Sequence, residues 1–179
     1  MQASYKWKVI TIGEPTVGKT TLMLQYTERK FHELYIPTVG VQVSVKQVPI
    51  KIEKTKEKKL IELNIWDVAG HIKFQNIRKV FYEGAHAFLL LYDLTNKASY
   101  DGISYWYEDL TKIIGKQYGI LIGNKKDLQK ERVITEEEGI ELATNLNLDF
   151  METSAKTGEN VNDVFEILTQ NLLKMHGEK

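Results

Sequence analysis

The sequence predicts an α/β fold in which parallel strands are covered by helices. Short apolar runs alternate with amphipathic stretches over most of the 179 residues, which is the pattern of such a fold. No repeat, low-complexity tract or Gly/Ser linker divides the chain, so we expect one domain over residues 1–179. Between residues 40 and 67 the pattern changes to strict alternation, which predicts two antiparallel strands within the otherwise parallel arrangement.

Four apolar runs are each followed by an amphipathic stretch, as expected for strands that lead into covering helices. The strand and helix pairs are residues 7–12 and 20–30, 87–92 and 99–114, 118–122 and 135–146, and 149–152 and 161–175. In the second and fourth helices the apolar residues recur at helical spacing, which places them on one face that packs into the core. These residues are Ile103, Tyr107, Leu110 and Ile114 in one helix, and Val161, Val164, Phe165, Leu168 and Leu172 in the other. Thr135, with Glu138 three residues later, predicts a capping box at the start of the third helix.

The segment between residues 40 and 67 has the two-residue period of a strand pair. Apolar and polar residues alternate over 41–45 and again over 61–65, which predicts an antiparallel hairpin. Pro49 suits an edge strand, because proline has no N–H to donate to a neighbouring strand. The lysines between residues 51 and 59 form a basic tip. A solvated loop that discourages edge pairing is the favoured interpretation of this tip, ahead of contact with a partner or a lipid surface.

Charge and cysteine content exclude several classes of function. The 24 basic and 24 acidic side chains cancel, so the chain has no general attraction for nucleic acid or anionic lipid, and we expect no nucleic-acid partner. The sequence contains no cysteine, which excludes disulfides, thiolate metal sites, cysteine nucleophiles and a prenyl or palmitoyl anchor on the chain as given. A signal-peptide pattern and an apolar run long enough to span a bilayer are both missing, so a cytoplasmic protein is expected.

A phosphate-binding sequence lies between the first predicted strand and the first predicted helix. Residues 13–20 read GEPTVGKT and fit the pattern G-x-x-x-x-G-K-[ST]. Gly13 and Gly18 permit a close approach that side chains would block, so that backbone amides and the positive end of the helix can surround phosphate oxygens. In this pattern Lys19 reaches the β and γ phosphates, and the Thr20 hydroxyl is a ligand for Mg²⁺.

Two further segments fit a site for phosphate and Mg²⁺. Asp67 and Gly70 form D-x-x-G at the end of the second hairpin strand. There, Asp67 can hold a metal-bound water and the Gly70 amide can meet the γ phosphate. Thr38 lies in the loop before the hairpin, where its hydroxyl can complete the Mg²⁺ shell while a γ phosphate is present. Taken alone, this threonine would be interpreted as a turn residue.

Two polar segments predict recognition of a purine base. Residues 124–127 read NKKD and residues 152–156 read ETSAK, and both follow strands at the edge where α/β sheets bind ligands. The Asp127 carboxylate can accept hydrogen bonds from the N1–H and 2-amino groups of guanine, whereas adenine would leave it unpaired. The backbone at Ala155 can meet the guanine carbonyl, and lysine stems from both segments can cover the ring faces. The predicted base is therefore guanine.

Together these segments resemble the small GTPases of the Ras superfamily, closest to the Rab and Ras branches. GEPTVGKT, PT, WDVAG, NKKD and ETSAK occur in the family's order and spacing over essentially the whole chain, and YEGAH at residues 82–86 is similar to the Rab sequence after the second switch. The resemblance implies a P-loop NTPase G domain. Its sheet would have six strands, one of them antiparallel, with helices on both faces. It also implies GTP or GDP with Mg²⁺ as ligands, effector and regulator proteins as partners, and a monomer.

The resemblance further implies a set of site residues. Residues 31–41 and 69–80 would be two nucleotide-sensitive switch loops, with Phe31 packing edge-on against the base and Tyr35 closing over the phosphates. The implied nucleotide-binding residues are Gly13, Thr16, Val17, Gly18, Lys19, Thr20, Thr21, Phe31, Tyr35, Thr38, Gly70, Asn124, Lys125, Asp127, Ser154, Ala155 and Lys156. The implied metal ligands are Thr20, Thr38 and Asp67, and the residues implied in hydrolysis are His71, Thr38 and Lys19. Val43, Trp66 and Phe81 would form an apolar partner surface, with an ordinary core role given equal weight.

Four residues depart from the family's pattern, namely Pro15, Thr16, His71 and Ile72. After Gly70 the family usually has Gln, which orients the attacking water, and this chain has His71. Imidazole can also orient water, but its reach differs and its charge varies near neutral pH. Pro15 brings no N–H to the phosphate loop, and its ring projects where an activating protein's arginine would enter. Ile72 replaces a common acidic residue, which argues against the usual exchange-factor mechanism.

Three functions are compared on these grounds. The leading hypothesis is a switch that hydrolyses GTP slowly and changes which partner can bind. The second is a GTP-dependent binding module with little or no hydrolysis, because His71 replaces Gln. A P-loop kinase or ATPase ranks third, since it has no use for the NKKD segment. Without cysteine, recruitment to membranes would come through a partner or the basic tip.

Overall fold

A computed structural model describes residues 3–31, 37–51, 58–71 and 75–176. Within that part the chain forms six strands and six helices. The strands are β1 (Tyr5–Ile12), β2 (Val41–Lys51), β3 (Lys58–Val68), β4 (Ala87–Asp93), β5 (Tyr118–Asn124) and β6 (Asp149–Thr153). The helices are α1 (Lys19–Glu28), α2 (Gln75–Tyr82), α3 (Lys97–Asp101), α4 (Ile103–Ile114), α5 (Glu136–Leu146) and α6 (Val161–His176).

The strands form one sheet in the order β2-β3-β1-β4-β5-β6. β2 runs antiparallel to β3, from Val41 opposite Val68 to Lys51 opposite Lys58, and all other neighbouring strands are parallel. The predicted α/β fold with one antiparallel strand is therefore confirmed. Because the parallel strands point the same way, the loops that follow them meet at one edge of the sheet.

Apolar side chains of the central strands alternate between two cores, one on each face of the sheet. Val9 and Leu89 belong to the core covered by α1 and α6. Ile10 and Leu90 belong to the core covered by α2, α4 and α5. Helices thus lie on both faces, as the resemblance implied. Burial on both sides also explains why these strands are continuous apolar runs in the sequence.

The prediction of one helix over residues 99–114 is wrong, because two helices, α3 and α4, meet at Gly102. α3 starts earlier than predicted, since the side-chain oxygen of Asn96 caps it by accepting a hydrogen bond from the Ser99 N–H at 3.3 Å. Glycine is a poor residue for a helix interior. Space at Gly102 is also limited, because a Cβ there would lie 3.0 Å from Oε1 of Glu14.

The later helices match the sequence pattern closely. α5 begins with the predicted capping box: the Thr135 hydroxyl accepts from the Glu138 N–H at 3.2 Å, and the Glu138 carboxylate accepts from the Thr135 N–H at 2.8 Å. α6 has 16 residues. In the part of the chain that the structure describes, no helix combines the length and the apolar character needed to cross a membrane.

Some predictions fall on residues that the structure does not describe. Tyr35 of the first switch loop and Ile72 of the second lie outside the described residues. So do residues 52–57, which form most of the basic tip of the hairpin. The predictions for these positions stay predictions.

The residue before β4 is a histidine whose protonation the fold opposes. Nδ1 of His86 accepts a hydrogen bond from the backbone N–H of Lys8 at 3.1 Å, so this nitrogen carries no proton. Burial lowers the pKa of His86, and the nearby His176 ring and the Lys8 charge add to this effect. Below about pH 6.5 the unfolded chain therefore binds a proton that the folded protein resists, and stability falls as the pH drops.

We expect the wild-type protein to lose more stability than a His86→Gln variant when the pH is lowered from about 7.5 to about 5.5. The measurement is the urea midpoint of unfolding at both pH values. Carboxylates titrate alike in the two proteins, so the difference between them isolates His86. A His176→Gln variant is the matched control, and it should remove only the contribution of the neighbouring ring. Equal losses for wild type and His86→Gln would show that this histidine is protonated as easily in the folded state as in the unfolded chain.

Candidate functional site

The segment over residues 13–20 forms a tight loop between β1 and α1. Gly13 has φ 143° and Gly18 has φ 101°, in the region that side chains rarely adopt. A side chain at Gly13 would collide with the backbone carbonyl of Leu91, and one at Gly18 with the side-chain amide of Asn124. Both glycines are therefore required for the close packing of this loop against β4 and β5.

Lys19 is almost fully buried at the start of α1, with 6% of its surface exposed. Its Nζ donates hydrogen bonds to the backbone oxygens of Gly13 at 2.9 Å and Glu14 at 2.7 Å. Burial lowers the pKa of Lys19 to about 8, although the negative charges of Asp67 and Glu14 oppose this effect. A buried ammonium group beside a loop of backbone amides is suited to meet an anion.

Three side chains from distant parts of the chain meet beside Lys19. The hydroxyls of Thr20 and Thr38 both donate to Oδ2 of Asp67, Thr38 at 3.1 Å, and the two hydroxyl oxygens lie 2.9 Å apart. Burial raises the pKa of Asp67, while the Lys19 charge and the hydrogen bonds from the threonines oppose that rise. One carboxylate and two hydroxyls are the type of oxygen ligand that Mg²⁺ takes together with phosphate oxygens and water.

This cluster is the candidate metal site of the protein. Elsewhere, residues 3–31, 37–51, 58–71 and 75–176 contain no group of three or more His, Cys, Asp or Glu side chains that could hold a metal ion. A site with a single carboxylate suits a cation that arrives with a phosphate-bearing ligand, because the phosphate supplies the remaining charge.

The D-x-x-G segment packs directly against the phosphate loop. A Cβ on Gly70 would collide with the carbonyl oxygen of Gly13 and would lie 2.8 Å from both the carbonyl carbon of Glu14 and the nitrogen of Pro15. The next residue, His71, is exposed and lines the same cavity as Lys19. A movement of this segment would therefore displace the phosphate loop, because the two are in direct contact.

Asn124, the last residue of β5, joins two loops. Its Nδ2 donates to the backbone oxygen of Val17 at 2.9 Å. Its Oδ1 accepts from the hydroxyl of Thr153 at 3.0 Å and from the N–H of Ala155 at 3.1 Å. Asn124 therefore fixes the phosphate loop relative to the loop after β6.

The Asp127 carboxylate lines the cavity from the loop after β5. Its Oδ1 accepts a hydrogen bond from the Ser154 hydroxyl at 2.6 Å, and the same hydroxyl oxygen accepts from the N–H of Thr157 at 3.0 Å. Ser154 is fully buried, so it holds one side of the carboxylate in place. The sequence predicted Ser154 as a binding residue, and the structure gives it a positioning contact.

Two lysines and a phenylalanine surround the same end of the cavity. Lys125 Nζ forms an ion pair with the Asp93 carboxylate at 2.6 Å, which fixes the end of its side chain. Lys156 Nζ lies 6.0 Å from the ring centroid of Phe31. All three side chains line the cavity that contains Asp127.

One cavity of about 1100 Å³ connects these groups. The predicted site residues that line it are Thr16, Gly18, Lys19, Thr20, Thr21, Phe31, Thr38, Gly70, His71, Asn124, Lys125, Asp127, Ala155 and Lys156. Four other predicted residues are buried in its walls, namely Gly13, Val17, Asp67 and Ser154. The structure thus brings all of the described candidates together, and Tyr35 alone lies outside the described residues.

Sequence reasoning missed several supporting residues. Asp93 pairs with Lys125, Thr153 bonds to Asn124, and Trp106 bonds to Glu14 at 3.0 Å. Asp93 ends β4 at the ligand-binding edge, so the rule for strand ends could have found it. No local pattern marks Trp106, because its partner is 92 residues away in the sequence.

The sheet order, the glycine-framed loop and the buried lysine define a P-loop protein of the G-domain class. The chain belongs to the Ras family, whose sequence model matches residues 8–174. It is 35% identical over 176 residues to Ras-related protein RabC of Dictyostelium discoideum, covering 96% of this chain and 86% of that protein. It is 39% identical over 176 residues to Ras-related protein Rab-17 of Mus musculus, covering 97% and 79%. It is also 38% identical over 170 residues to Ras-related protein Rab-1 of Theileria parva, covering 94% and 74%.

Family membership places the chain among the Rab-like small GTPases, which are GTP-binding switches that interact with effector and regulator proteins. This confirms the family resemblance of the sequence motifs.

Proposed function

We propose that the protein is one G domain over residues 1–179 that binds GTP and GDP with Mg²⁺ and hydrolyses GTP slowly. Hydrolysis would change two switch loops, about residues 31–41 and 69–80, and so change which proteins bind. The observation that carries the proposal is the meeting of Thr38, Thr20 and Asp67 beside the buried Lys19. These contacts join the first switch loop to the phosphate loop and to the end of β3.

The phosphate groups would lie along the loop before α1. Backbone amides of residues 16–21, together with the positive end of α1, would bind the oxygens, and Lys19 would pair with the β and γ phosphates. Because Pro15 has no N–H, the amides must come from the residues after it. Mg²⁺ bound by Thr20, Thr38 and Asp67 would supply positive charge that neutralises the phosphate oxygens as the γ phosphate leaves.

The base would lie between the loops after β5 and β6. Asp127 would accept hydrogen bonds from guanine N1–H and the 2-amino group, and amide groups near Ala155, which lines the cavity, would meet the guanine carbonyl. The stems of Lys125 and Lys156 would cover the ring, with Phe31 at its edge.

His71 would orient the water that attacks the γ phosphorus. It follows Gly70, which packs on the phosphate loop, and it lines the cavity beside Thr38. In the attack the water oxygen would bond to the γ phosphorus, the bond from that phosphorus to the bridging oxygen would break so that this oxygen leaves with GDP, and a water proton would pass to the released phosphate. The enzyme would therefore act by positioning and by charge stabilisation. The imidazole differs from Gln in reach, and this difference would be the physical reason for a slow rate.

We expect a His71→Gln variant to hydrolyse bound GTP about tenfold faster than wild type, because Gln has the reach to orient the water. A His71→Ala variant should be slower than wild type. The measurement is single-turnover hydrolysis with saturating Mg²⁺, after the nucleotide released on denaturing the purified protein has been identified as GDP or GTP. Equal rates for the three proteins would show that His71 does not limit the chemistry.

The second candidate function is a GTP-dependent binding module with negligible turnover. His71 at the position of the water-orienting residue favours it. Nucleotide-dependent capture of a partner, without release of phosphate by the wild type over hours, would establish this function in place of the first.

Partner binding is supported by apolar side chains that stay exposed on and beside the switch loops. Val43 is 44% exposed and lies opposite Trp66 in the hairpin, and Val80 on α2 is 66% exposed. The Trp66 and Phe81 rings are partly buried, with centroids 6.4 Å apart. Of the three residues predicted for a partner surface, Val43 is therefore the exposed member, and the two aromatic rings also pack on the core.

A further inference from the structure

The side chain of Glu14 ties the phosphate loop to helix α4. Its Oε1 accepts a hydrogen bond from the indole N–H of Trp106 at 3.0 Å. The same oxygen lies at the start of α4, since a Cβ on Gly102 would be 3.0 Å from it. A carboxylate at a helix N-terminus gains from the helix dipole, and a hydrogen bond to an ionised acceptor is stronger than one between neutral groups.

The backbone of Glu14 is part of the phosphate site. Its carbonyl oxygen holds Lys19 Nζ at 2.7 Å, and its carbonyl carbon is within 2.8 Å of the position that a Cβ on Gly70 would take. The next residues, Pro15 and Thr16, have a fixed proline ring and a left-handed φ of 68°. The anchor at the Glu14 side chain therefore sets the position of the loop just before its amides turn inward.

Trp106, the partner of Glu14, also contacts an arginine of α2, in the proposed second switch loop. Arg78 of α2 is 1% exposed, and its Cζ lies 4.2 Å from the ring centroid of Trp106. Its Nη2 donates to the Tyr105 hydroxyl at 3.3 Å and lies 3.8 Å from the Asp109 carboxylate. Nε and Nη1 have no hydrogen-bond partner in the described part of the chain. A buried guanidinium with unpaired N–H groups is costly. Because Arg78 belongs to α2, its contact with the Trp106 ring depends on where α2 lies.

We infer that Glu14 and Trp106 are positioning residues of the nucleotide site, and that Arg78 links them to the second switch loop. In this arrangement a movement of α2 shifts Arg78 on the Trp106 ring, and the Glu14 anchor passes the shift to the phosphate loop. The rate of nucleotide release therefore depends on the position of α2. This inference rests on the proposed function and assigns a means of regulation to the same site.

The test is the rate of release of a fluorescent GDP analogue from the Mg²⁺-loaded full chain. Glu14→Ala and Trp106→Phe should each release the analogue roughly tenfold faster than wild type, because each removes the charge-assisted hydrogen bond. The double variant should be no faster than the faster single variant, since both changes break the same contact. Glu14→Gln keeps an acceptor oxygen and should stay within about threefold of wild type, whereas Glu14→Met, of similar size, should match Glu14→Ala.

Matched controls separate this contact from a general loss of packing. Trp7→Phe removes a buried indole from the core on the other face of the sheet and should release the analogue at the wild-type rate. Arg78→Met should accelerate release in the wild-type background and add nothing in a Trp106→Leu background. If the tryptophan variants do not fold, the comparison of Glu14→Gln with Glu14→Met decides the matter.

Different results would contradict the proposed function, the positioning role of Glu14 and the link through Arg78. Wild-type protein that binds no guanine nucleotide would remove the proposed function itself. Wild-type protein that binds tightly, with Glu14→Ala and Glu14→Met releasing at the wild-type rate, would overturn the positioning role alone. Additive effects of Arg78→Met and Trp106→Leu would overturn the link to the second switch loop.

Discussion

Replacing Asp127 by Asn is expected to lower the affinity for GDP and GTP by roughly 10² to 10⁴, because the carboxylate is the group that distinguishes guanine. Oδ1 of Asp127 already accepts from Ser154 at 2.6 Å, so the carboxylate is fixed at the wall of the cavity. An Asn there presents an N–H donor toward guanine's own donors, and buried donors are left without acceptors. Xanthine carries a carbonyl at position 2 in place of the amino group, so the same variant should gain affinity for xanthosine diphosphate.

The measurement is a competition titration with both diphosphates on wild type and Asp127→Asn. Asp163→Asn is the control, because Asp163 is an exposed aspartate on α6 that does not line the cavity. An unchanged preference for guanine in Asp127→Asn would mean that another group selects the base, and the assignment of the loop after β5 would then be wrong.

The course of the main chain could be predicted to a large extent. A strand buried on both faces is a continuous apolar run, as in β4, and a hairpin strand with one exposed face alternates, as in β2 and β3. These periods gave the element order and the antiparallel pair. The break at Gly102 could not be predicted, because it depends on the cap at Asn96 and on the Glu14 side chain that occupies the space beside it.

The site residues could be predicted for a related reason. Parallel strands deliver their following loops to one edge, so motifs far apart in the sequence converge wherever the strand order is right. Contacts between side chains do not follow from that rule. The ion pair of Lys125 with Asp93, and the stacking of Arg78 on Trp106, depend on how helices and loops pack in three dimensions.

Features that weaken the fold concentrate in the same edge of the sheet. Thr16 has a left-handed φ of 68°, which is unfavourable for a β-branched residue, and Lys19 and Asp67 are buried charges. Such groups persist where the surrounding structure holds them for binding or catalysis. Removing one of these groups should therefore raise the stability of the nucleotide-free protein and lower its affinity for nucleotide.

Lys19 offers the sharpest test of that trade-off. A Lys19→Met variant keeps most of the side-chain volume and loses the ammonium group, so we expect its affinity for GDP and GTP to fall by roughly 10² to 10³. Because burial lowers the pKa of Lys19 to about 8, the fold opposes the charged form. The nucleotide-free variant should therefore be more stable than nucleotide-free wild type by about 1–3 kcal/mol.

The two effects are measured separately, affinity by titration with a fluorescent GDP analogue and stability by urea unfolding of nucleotide-free protein. Lys130→Met, at an exposed lysine in the loop after β5, controls for the loss of a positive charge and should change neither quantity. If Lys19→Met were less stable than wild type, the hydrogen bonds to the Gly13 and Glu14 carbonyl oxygens would outweigh the burial of the charge. Lys19 would then hold the loop together in the absence of ligand. A more stable variant that no longer binds nucleotide would instead show that Lys19 serves phosphate binding and lowers the stability of the nucleotide-free protein.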